Sequence, residues 1–431
     1  MSTSVSQSFY DISKIPKDWT KKRLKNILSI SENKSSNFNN EKVLSLTQKG
    51  IIVNDISNNK GQIAESYEKY ILVKKGQICM NPMDLLSGWV DISSFDGLIS
   101  PAYYTFELNE IVNNKFISYF LQSNYFRKTF FKLGKGVASH DNFGRWVLTP
   151  DELKNIFIFL PNIKKQKIIA SYLDNKIEIL EVMIEKIRKK IELIKEQRTS
   201  LINQYVTKGL DPNVEMKDSG VEWIREIPKH WNLMKLKYLV SYNTDTLPED
   251  TDPDYSFNYI EISDVNHIEG VNLKEKITFD GRPSRAQRVV KPNDVIISTV
   301  RTYLRAIGII PDIPDVVCST GFCVLRDRSG LLNQNFLSYS VKSEWFVSSV
   351  ISNSYGVSYP AINSSELVEF KIVLPPLKEQ EEIVKTLKIK IQNFDDQIKF
   401  ETKRVDLLKE YSQSLISSVV TGKVRITENM I

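Results

Sequence analysis

LPNIKKQKIIASYLDNKIEILEVMIEKIRKKIELIKEQRTSLINQYVT, residues 160–207, returns without a gap as LPPLKEQEEIVKTLKIKIQNFDDQIKFETKRVDLLKEYSQSLISSVVT, residues 374–421. Over these 48 positions 18 are identical, among them Pro161/Pro375, Gln166/Gln380, Leu173/Leu387 and Thr207/Thr421. A gapless match of that length means that the chain contains itself twice. In the first copy, apolar residues fall at Leu173, Ile177, Leu180, Ile184, Ile187, Ile191 and Ile194, then at Leu201 and Tyr205, with Arg198 at the one missed step. The second copy has Leu387, Ile391, Phe394, Ile398, Val405, Leu408, Leu415 and Val419, with Glu401 and Ser412 as the misses. Steps of four and three make a heptad seam, the pattern of a coiled coil. Prolines at the entry (Pro161, Pro375, Pro376) and glycines past the exit (Gly209, Gly422) suit a helix start and a left-handed cap. A helix of this length runs about 65 Å at about 1.5 Å per residue, too long for one small domain to cover its stripe. The nearest complement is its own duplicate, so the two helices are expected to pack antiparallel, about a pseudo-two-fold that throws the two heads to opposite ends. Docking of each helix on a foreign subunit is the other option, and the two are compatible.

Outward from the helices, the duplication continues more faintly. IPKDWTKKRLKNILSI from Ile15 matches IPKHWNLMKLKYLVSY from Ile227, Phe116-Ile117-Ser118-Tyr119 matches Phe336-Leu337-Ser338-Tyr339, and Gly136-Val137 matches Gly356-Val357. The offsets imply six extra residues in the first half between Val137 and Leu160. Each half is thus a head followed by a long helix: a first head over 1–160, a helix over 161–209, a polar, turn-rich linker over 210–226, a second head over 227–374, a helix over 375–422 and a tail over 423–431. The heads read as mixed α/β. Strands are expected at Val43–Leu46, Gln77–Met80, Tyr103–Phe106, Ile156–Phe159, Tyr259–Ile262, Asp294–Ser298, Gly321–Leu325 and Glu369–Val373. One helix per head is expected, at Asn114–Phe126 and Asn335–Phe346. The fold class is therefore α/β: two globular domains joined by two long antiparallel helices.

Composition excludes several classes. In 431 residues the hydrophobic share is 41% and the charged share 26%, which describes a folded globular chain. The net charge of +6 is compatible with a polyanionic partner without requiring one. Three cysteines, Cys79, Cys318 and Cys323, argue for a reducing compartment rather than a disulfide framework. With no signal peptide and no apolar run long enough for a bilayer, a cytoplasmic protein without a membrane partner is expected. Catalytic signatures are missing. The three histidines, His140, His230 and His267, have no cysteine at metal-ligand spacing, and Gly134-Lys135-Gly136 lacks the frame of a phosphate loop. Asn81-Pro82-Met83 lacks the second proline and the aromatic of an aminomethyltransferase tetrad. Pro314-Asp315 with Glu369-x-Lys371 is too widely separated for a metal nuclease, and the position opposite Glu369 is Asn155. No metal site, and no catalytic residue, is assigned.

What the heads carry is suited to nucleic acid. From Arg282 to Arg305 the second head has Arg282, Arg285, Arg288, Lys291, Arg301 and Arg305 against one acid, Asp294, with Tyr303 among them. Any single arginine can be a solvated basic face; the group is read as a DNA contact, because guanidinium forks fit phosphates and the guanine O6/N7 edge. In the first head the candidates are Lys132 and Lys135, followed by His140, Asn142 and Arg145 in the longer loop, where the second head has Ser358 and Tyr359. Trp146 is read as core. A loop that differs in length between duplicates suits two different readings.

With the repeat in hand, its phrases resemble a known family. Lys217-Asp218-Ser219-Gly220-Val221-Glu222-Trp223-Ile224, followed by Glu226-Ile227-Pro228-Lys229-His230-Trp231, looks like the opening of a target-recognition domain in specificity subunits of type I restriction–modification enzymes. Ile15-Pro16-Lys17-Asp18-Trp19 is its shorter twin, without the Asp-Ser-Gly-x-Glu-Trp phrase. Leu374-Pro375-Pro376-Leu377-Lys378-Glu379-Gln380 resembles the start of the family's conserved region, and Leu160-Pro161-Asn162-Ile163-Lys164-Lys165-Gln166 is its degenerate copy. The resemblance implies a non-catalytic subunit whose heads each read one half of a bipartite, asymmetric double-stranded DNA target while the coiled coil sets the spacer. It further implies two methyltransferase subunits and two restriction/translocase subunits as partners. S-adenosylmethionine, ATP and Mg would be held by those partners and no cofactor by this chain. A coiled-coil scaffold joining two proteins without touching DNA is the alternative.

Overall fold

The structure is a computed structural model that describes residues 15–31, 33–34, 42–47, 50–54, 67–83, 90–137, 145–268, 270–356 and 359–430. By its internal contacts the chain forms two compact units, Met1–Arg188 with Lys403–Ile431, and Lys189–Thr402. The division therefore runs through both long helices, so that each unit owns one head and a stretch of each helix.

In the first unit, one four-stranded sheet has the order Leu28–Ile30, Tyr104–Leu108, Ile78–Met80, Val90–Ile92, all antiparallel. A second has the order Gly50–Val53, Val43–Thr47, Gly97–Ile99, Ile71–Val73, and its middle pair is parallel. The second unit repeats both orders. Val240–Tyr242, Phe322–Asp327, Val295–Ser298 and Ile307–Ile309 make the antiparallel sheet. Ile277–Thr278, Ser256–Ile260, Val316–Ser319 and Ala286–Val290 make the other, again parallel at its centre. The heads are thus duplicates even where their sequences match weakly. Six of the eight expected strands lie within three residues of these elements, and the other two match Phe157–Leu160 and Lys371–Leu374, which pair Thr20–Arg23 and Asn232–Lys235; strand ends are the least legible part of an apolar pattern.

Two readings are corrected. The single helix expected in each head is a pair, Asn114–Gln122 with Asn124–Leu133, and Gln334–Val341 with Glu344–Ser352. Ser123 and Ser343 have extended backbones, and their buried hydroxyls bond back to the carbonyls of Phe120 and Ser340 at 2.6 and 2.5 Å. A serine offers the backbone that local alternative, which an apolar period does not reveal. The stretch read as a linker is a folded hairpin, with Met216–Asp218 pairing Glu226–Pro228.

The long helices span Ile163–Lys208 and Leu377–Val420. Within the second unit they run antiparallel, since Lys190 meets Glu401 and Arg198 meets Asp395. Leu180, Ile184 and Ile187 in the first unit, and Ile191 and Ile194 in the second, are buried, as are Val405, Leu387 and Ile391. Ile177, Phe394, Ile398 and Leu408 are half-buried. Leu173 joins the first head's core with Leu415, Ile416, Val419 and Val420. Ile202 and Val206 join the second head's core with Leu387 and Ile391. Each head is therefore completed by the end of one helix and the start of the other.

The most retained residues explain how. Gln166, fully buried, accepts from the Asn113 amide at 2.8 Å and donates to the carbonyls of Ile111 and Pro161 at 3.0 and 2.8 Å. Gln380 repeats the set with Asn333, Leu331 and Pro375 at 2.8, 2.9 and 2.9 Å. Asn113 and Asn333 in turn cap the helices that begin at Asn114 and Gln334. At the helix exits Gly209 and Gly422 have φ of 75° and 77°. A Cβ on Gly209 would lie 3.0 Å from Trp231, and one on Gly422 would lie 2.5 Å from Pro16 and 3.4 Å from Trp19. Only glycine combines that backbone with that approach. Among the described residues no helix is long and apolar enough to cross a membrane.

Candidate nucleic-acid interface

In the second head, the buried strand Val295–Ser298 ends in a turn that the Ser298 hydroxyl closes by donating to the Val300 carbonyl at 2.6 Å. Thr299 is anchored below through amide and hydroxyl bonds to the Gly321 carbonyl, at 2.8 and 2.9 Å. From there the chain makes a projecting loop. Arg301 and Arg305 both take left-handed backbones, φ 52° and 54°, on either side of the turn Thr302–Leu304. Such a backbone costs a non-glycine residue about 1–2 kcal/mol. Here neighbours hold it in place. The Arg301 amide donates to the Pro360 carbonyl at 2.7 Å, and Thr302 and Ser354 share a hydroxyl bond of 2.9 Å.

Those partners belong to a second loop. Tyr355 and Ala361 exchange amide bonds of 2.8 and 2.9 Å, and the Ile362 amide donates to the Thr299 carbonyl at 2.9 Å. Gly356 has φ 109° and a Cβ there would sit 3.2 Å from the Tyr359 carbonyl. The two loops form one surface on which Tyr303, Leu304, Tyr355 and Tyr359 are exposed, at 49, 48, 69 and 61%. The Arg301 guanidinium lies 4.6 Å from the centre of the Tyr359 ring. Among the described residues it carries no ion pair, so a fixed cation and four large side chains face outward together. That combination matches the needs of a base edge or a phosphate more than those of a fold.

The other basic neighbours in sequence are divided by the fold. Arg305 is held by Glu344 through two bonds of 2.6 and 2.7 Å; the pairing raises the guanidinium's proton affinity and holds the Glu344 carboxyl below its usual range. Arg282 lies 3.3 Å from the centre of the Phe279 ring and donates to the Phe279 carbonyl. Arg285 is exposed, next to the strand Ala286–Val290 of the other sheet. Arg288, within that strand, has its Nε and Nη1 shielded from solvent and without a hydrogen bond among the described residues. Lys291 pairs with Asp245 at 3.1 Å. The reason is topological: Arg282 to Lys291 flank and form a strand of one sheet, while Arg301 follows a strand of the other. Ser358 lies outside the described residues.

The first head has the same scaffold at the same place. Lys135–Val137 pairs Arg145–Val147, with Lys135 opposite Val147 as Tyr355 is opposite Ala361. The Leu148 amide donates to the Pro82 carbonyl at 3.2 Å, as Ile362 does to Thr299. Asn81-Pro82-Met83 therefore occupies the turn that carries Arg301 in the second head, and the Asn81 side chain accepts from the Met83 amide at 3.0 Å. His140 and Asn142 lie outside the described residues, Lys135 and Arg145 are described by their backbone strands alone, and Lys132 is exposed at the end of the helix Asn124–Leu133. The sequence reading missed Tyr355 and Leu304. Tyr355 could have been found, because it precedes Gly356 as Lys135 precedes Gly136.

The carboxylates weighed for a nuclease have other partners. Glu369 is exposed between Lys235 and Lys237, at 2.9 and 2.8 Å, and Asp315 accepts from the Tyr255 hydroxyl at 2.9 Å. Among the described residues no group of three or more His, Cys, Asp and Glu side chains is placed to hold a metal. The cysteines are buried; burial pushes Cys79 and Cys318 up to about 12 and Cys323 up to about 11.

Comparison with known proteins follows the same duplication. The family model for the type I restriction modification DNA specificity domain matches the chain twice, over residues 16–193 and 228–410. Each match opens at an Ile-Pro-Lys phrase and closes inside a long helix. The type I restriction enzyme MjaVIII specificity subunit of Methanocaldococcus jannaschii is 24% identical over 378 residues, 83% of each chain. The putative type I restriction enzyme MjaX specificity subunit of the same organism is 24% identical over 444 aligned residues, 96% of each chain. Among solved structures, a chain from work on complex assembly and conformational transition of the type I R-M system is similar with a TM-score of 0.64. That match covers 95% of this chain and 100% of the other at 16% identity, and so speaks for the fold.

Proposed function

This chain belongs to the type I restriction modification DNA specificity family, and on that premise we propose that each of its heads reads one half of a bipartite DNA target while the paired helices set the unread spacer. The observation that carries this is the loop pair: one scaffold, present in both heads, with different residues at its tip. Arg301, Tyr303, Tyr355 and Tyr359 are the reading surface of the second head. The strands Lys135–Val137 and Arg145–Val147 stand at the same place in the first. Different loop residues on duplicate frames suit an asymmetric target.

The chain supplies recognition and not chemistry. Adenine methylation and DNA cleavage reside in two methyltransferase and two restriction/translocase subunits, which bring S-adenosylmethionine, ATP and Mg, and the complex works in the cytoplasm. An exposed apolar strip on the helices supports docking of such partners. In the first unit Ile179, Val182 and Met183 are exposed on one helix and Leu407 and Tyr411 on the other. With the seam at heptad positions a and d, Ile179 and Leu407 take c and Met183 and Tyr411 take g, and in an antiparallel pair the g flanks adjoin. Exposed apolar residues gathered on one flank mark a partner surface.

The test is to co-express the chain with its methyltransferase partner and map methylated adenines across a genome. A single two-part target with a fixed spacer is expected. Removing one heptad from each long helix shortens the pair by about 10 Å. That variant should methylate the same half-sites at a spacing shorter by about 3 base pairs of about 3.4 Å each. Unchanged spacing would overturn the ruler, and a purified chain that methylates or cleaves by itself would overturn the non-catalytic assignment.

A further inference from the structure

The two polar interruptions of the seam in the second unit are buried ion pairs. Arg198 has a side chain 5% exposed and bonds Asp395 at 2.9 Å; Glu401 has a side chain 4% exposed and bonds Lys190 at 2.6 Å. In each pair the seam member is buried and its partner is open to solvent, Asp395 at 34% and Lys190 at 57%. The repeat does not require either residue. Arg198 stands where the other helix has Ser412, and Glu401 where the other has Ile187. An aliphatic residue would have kept both positions in the stripe.

Isoleucine and leucine layers are poor at specifying register, because a slip of one heptad exchanges one aliphatic layer for another. Buried charges are strict. Sliding the helices by seven residues one way would set Arg198 against Lys388 and Glu401 against Met183. Sliding the other way would set Arg198 against Thr402 and Glu401 against Gln197. The first slip leaves Arg198 repelled by Lys388 and Glu401 without a counter-ion, a penalty far larger than the net gain from a native buried pair, whereas the second brings Arg198 and Glu401 into one layer as a single pair in place of the native two. Polar groups at seam positions have this as their best-attested use. We infer that Arg198 and Glu401 are register pins, positioning residues that fix which layer of one helix faces which layer of the other, and thereby the spacing that the subunit accepts. The inference rests on the ruler reading of the helices given above.

The experiment compares methylation targets of the assembled methyltransferase carrying variant chains. Arg198→Leu with Glu401→Leu fills the stripe and leaves Asp395 and Lys190 solvated, so its melting temperature should equal or exceed that of the natural chain. Its half-sites should be unchanged, while methylation at spacers differing by about 3 base pairs (one heptad of about 10 Å) rises at least tenfold. Arg198→Asp alone, which faces Asp395, should relax the spacing as well, and adding Asp395→Arg should restore it. Strict natural spacing in the leucine variant, or in Arg198→Asp alone, overturns the pins. If the leucine variant does not assemble, the charge-swap series decides. The heptad deletion separates the two ideas: if it shifts the spacing while the leucine variant stays strict, only the pins fail, and if it leaves the spacing unchanged, the ruler itself has failed.

Discussion

The two heads share their frame and differ at their tips. Gln166 and Gln380, Asn113 and Asn333, Ser123 and Ser343, and the Gly–Trp contacts at the helix exits sit in matching places with matching bonds. Even the helix-to-head tie is repeated: the Asn124 amide donates to the Ser417 hydroxyl at 2.6 Å, and the Glu344 amide to the Asn203 side chain at 2.8 Å. All of these lie where a head meets the long helices. At the loop pair, the exposed Tyr355 stands where the first head has Lys135. Residues that must satisfy buried polar groups have little room to change, whereas a surface turned to a variable partner is held by no internal bond. Retention therefore marks the joint, and divergence marks the reading surface.

The first way to test this comparison is at the joint. Gln380→Leu strands the Asn333 amide and the carbonyls of Leu331 and Pro375, a loss of about 4 kcal/mol when unmet groups cost ~1–3 kcal/mol each. Gln166→Leu should cost the first unit the same. Urea unfolding followed by a probe in each unit would check it, and a large inequality would deny that the joints are equivalent.

A difference between the heads gives the next effect. Only the second unit interposes residues 261–276 between the paired strands Ser256–Ile260 and Ile277–Thr278; in the first, Thr47 pairs Gly50 directly. His267 lies there, half-buried, its Nδ1 shielded from solvent and without a hydrogen bond among the described residues, its pKa pushed down to about 4 by desolvation and by nearby Lys342, Arg198 and Arg305. The unfolded chain takes up this proton near pH 6.5 and the folded chain only near 4. Stability is therefore full above pH 6.5 and falls as pH drops toward 4, by about 3 kcal/mol at ~1.4 kcal/mol per pH unit. His267→Gln should flatten that slope in the second unit and leave the first unchanged, as read from denaturation midpoints across pH 4–7.

The smallest effect is at the tips. Arg301→Ala should weaken discrimination at the second half-site by about 1–3 kcal/mol, roughly 5- to 160-fold in relative methylation of mismatched sites. The first half-site should be untouched. Arg305→Ala, by contrast, should leave base preference unchanged, because Arg305 is engaged with Glu344. Loss of preference at the first half-site on mutating Arg301 would break the modular comparison.

Periodicity, proline and glycine placement, and one long self-match sufficed for the duplication, the helix pair, its seam and eight of the strands, because those features are written in residues a few positions apart. Ser123 and Ser343 hid a helix break behind an uninterrupted apolar period, and the spacing of Arg282, Arg288, Arg301 and Arg305 suggested a single basic group. Folding sent those arginines to two sheets, stacked one on Phe279, tied one to Glu344, and left Arg301 outward beside tyrosines some 50 residues further along. Side-chain bonds across such distances depend on where strands cross and loops meet, which no local spacing encodes. For the same reason Arg198 and Glu401 look like defects in a linear stripe, and only the antiparallel partner reveals that each has its counter-ion.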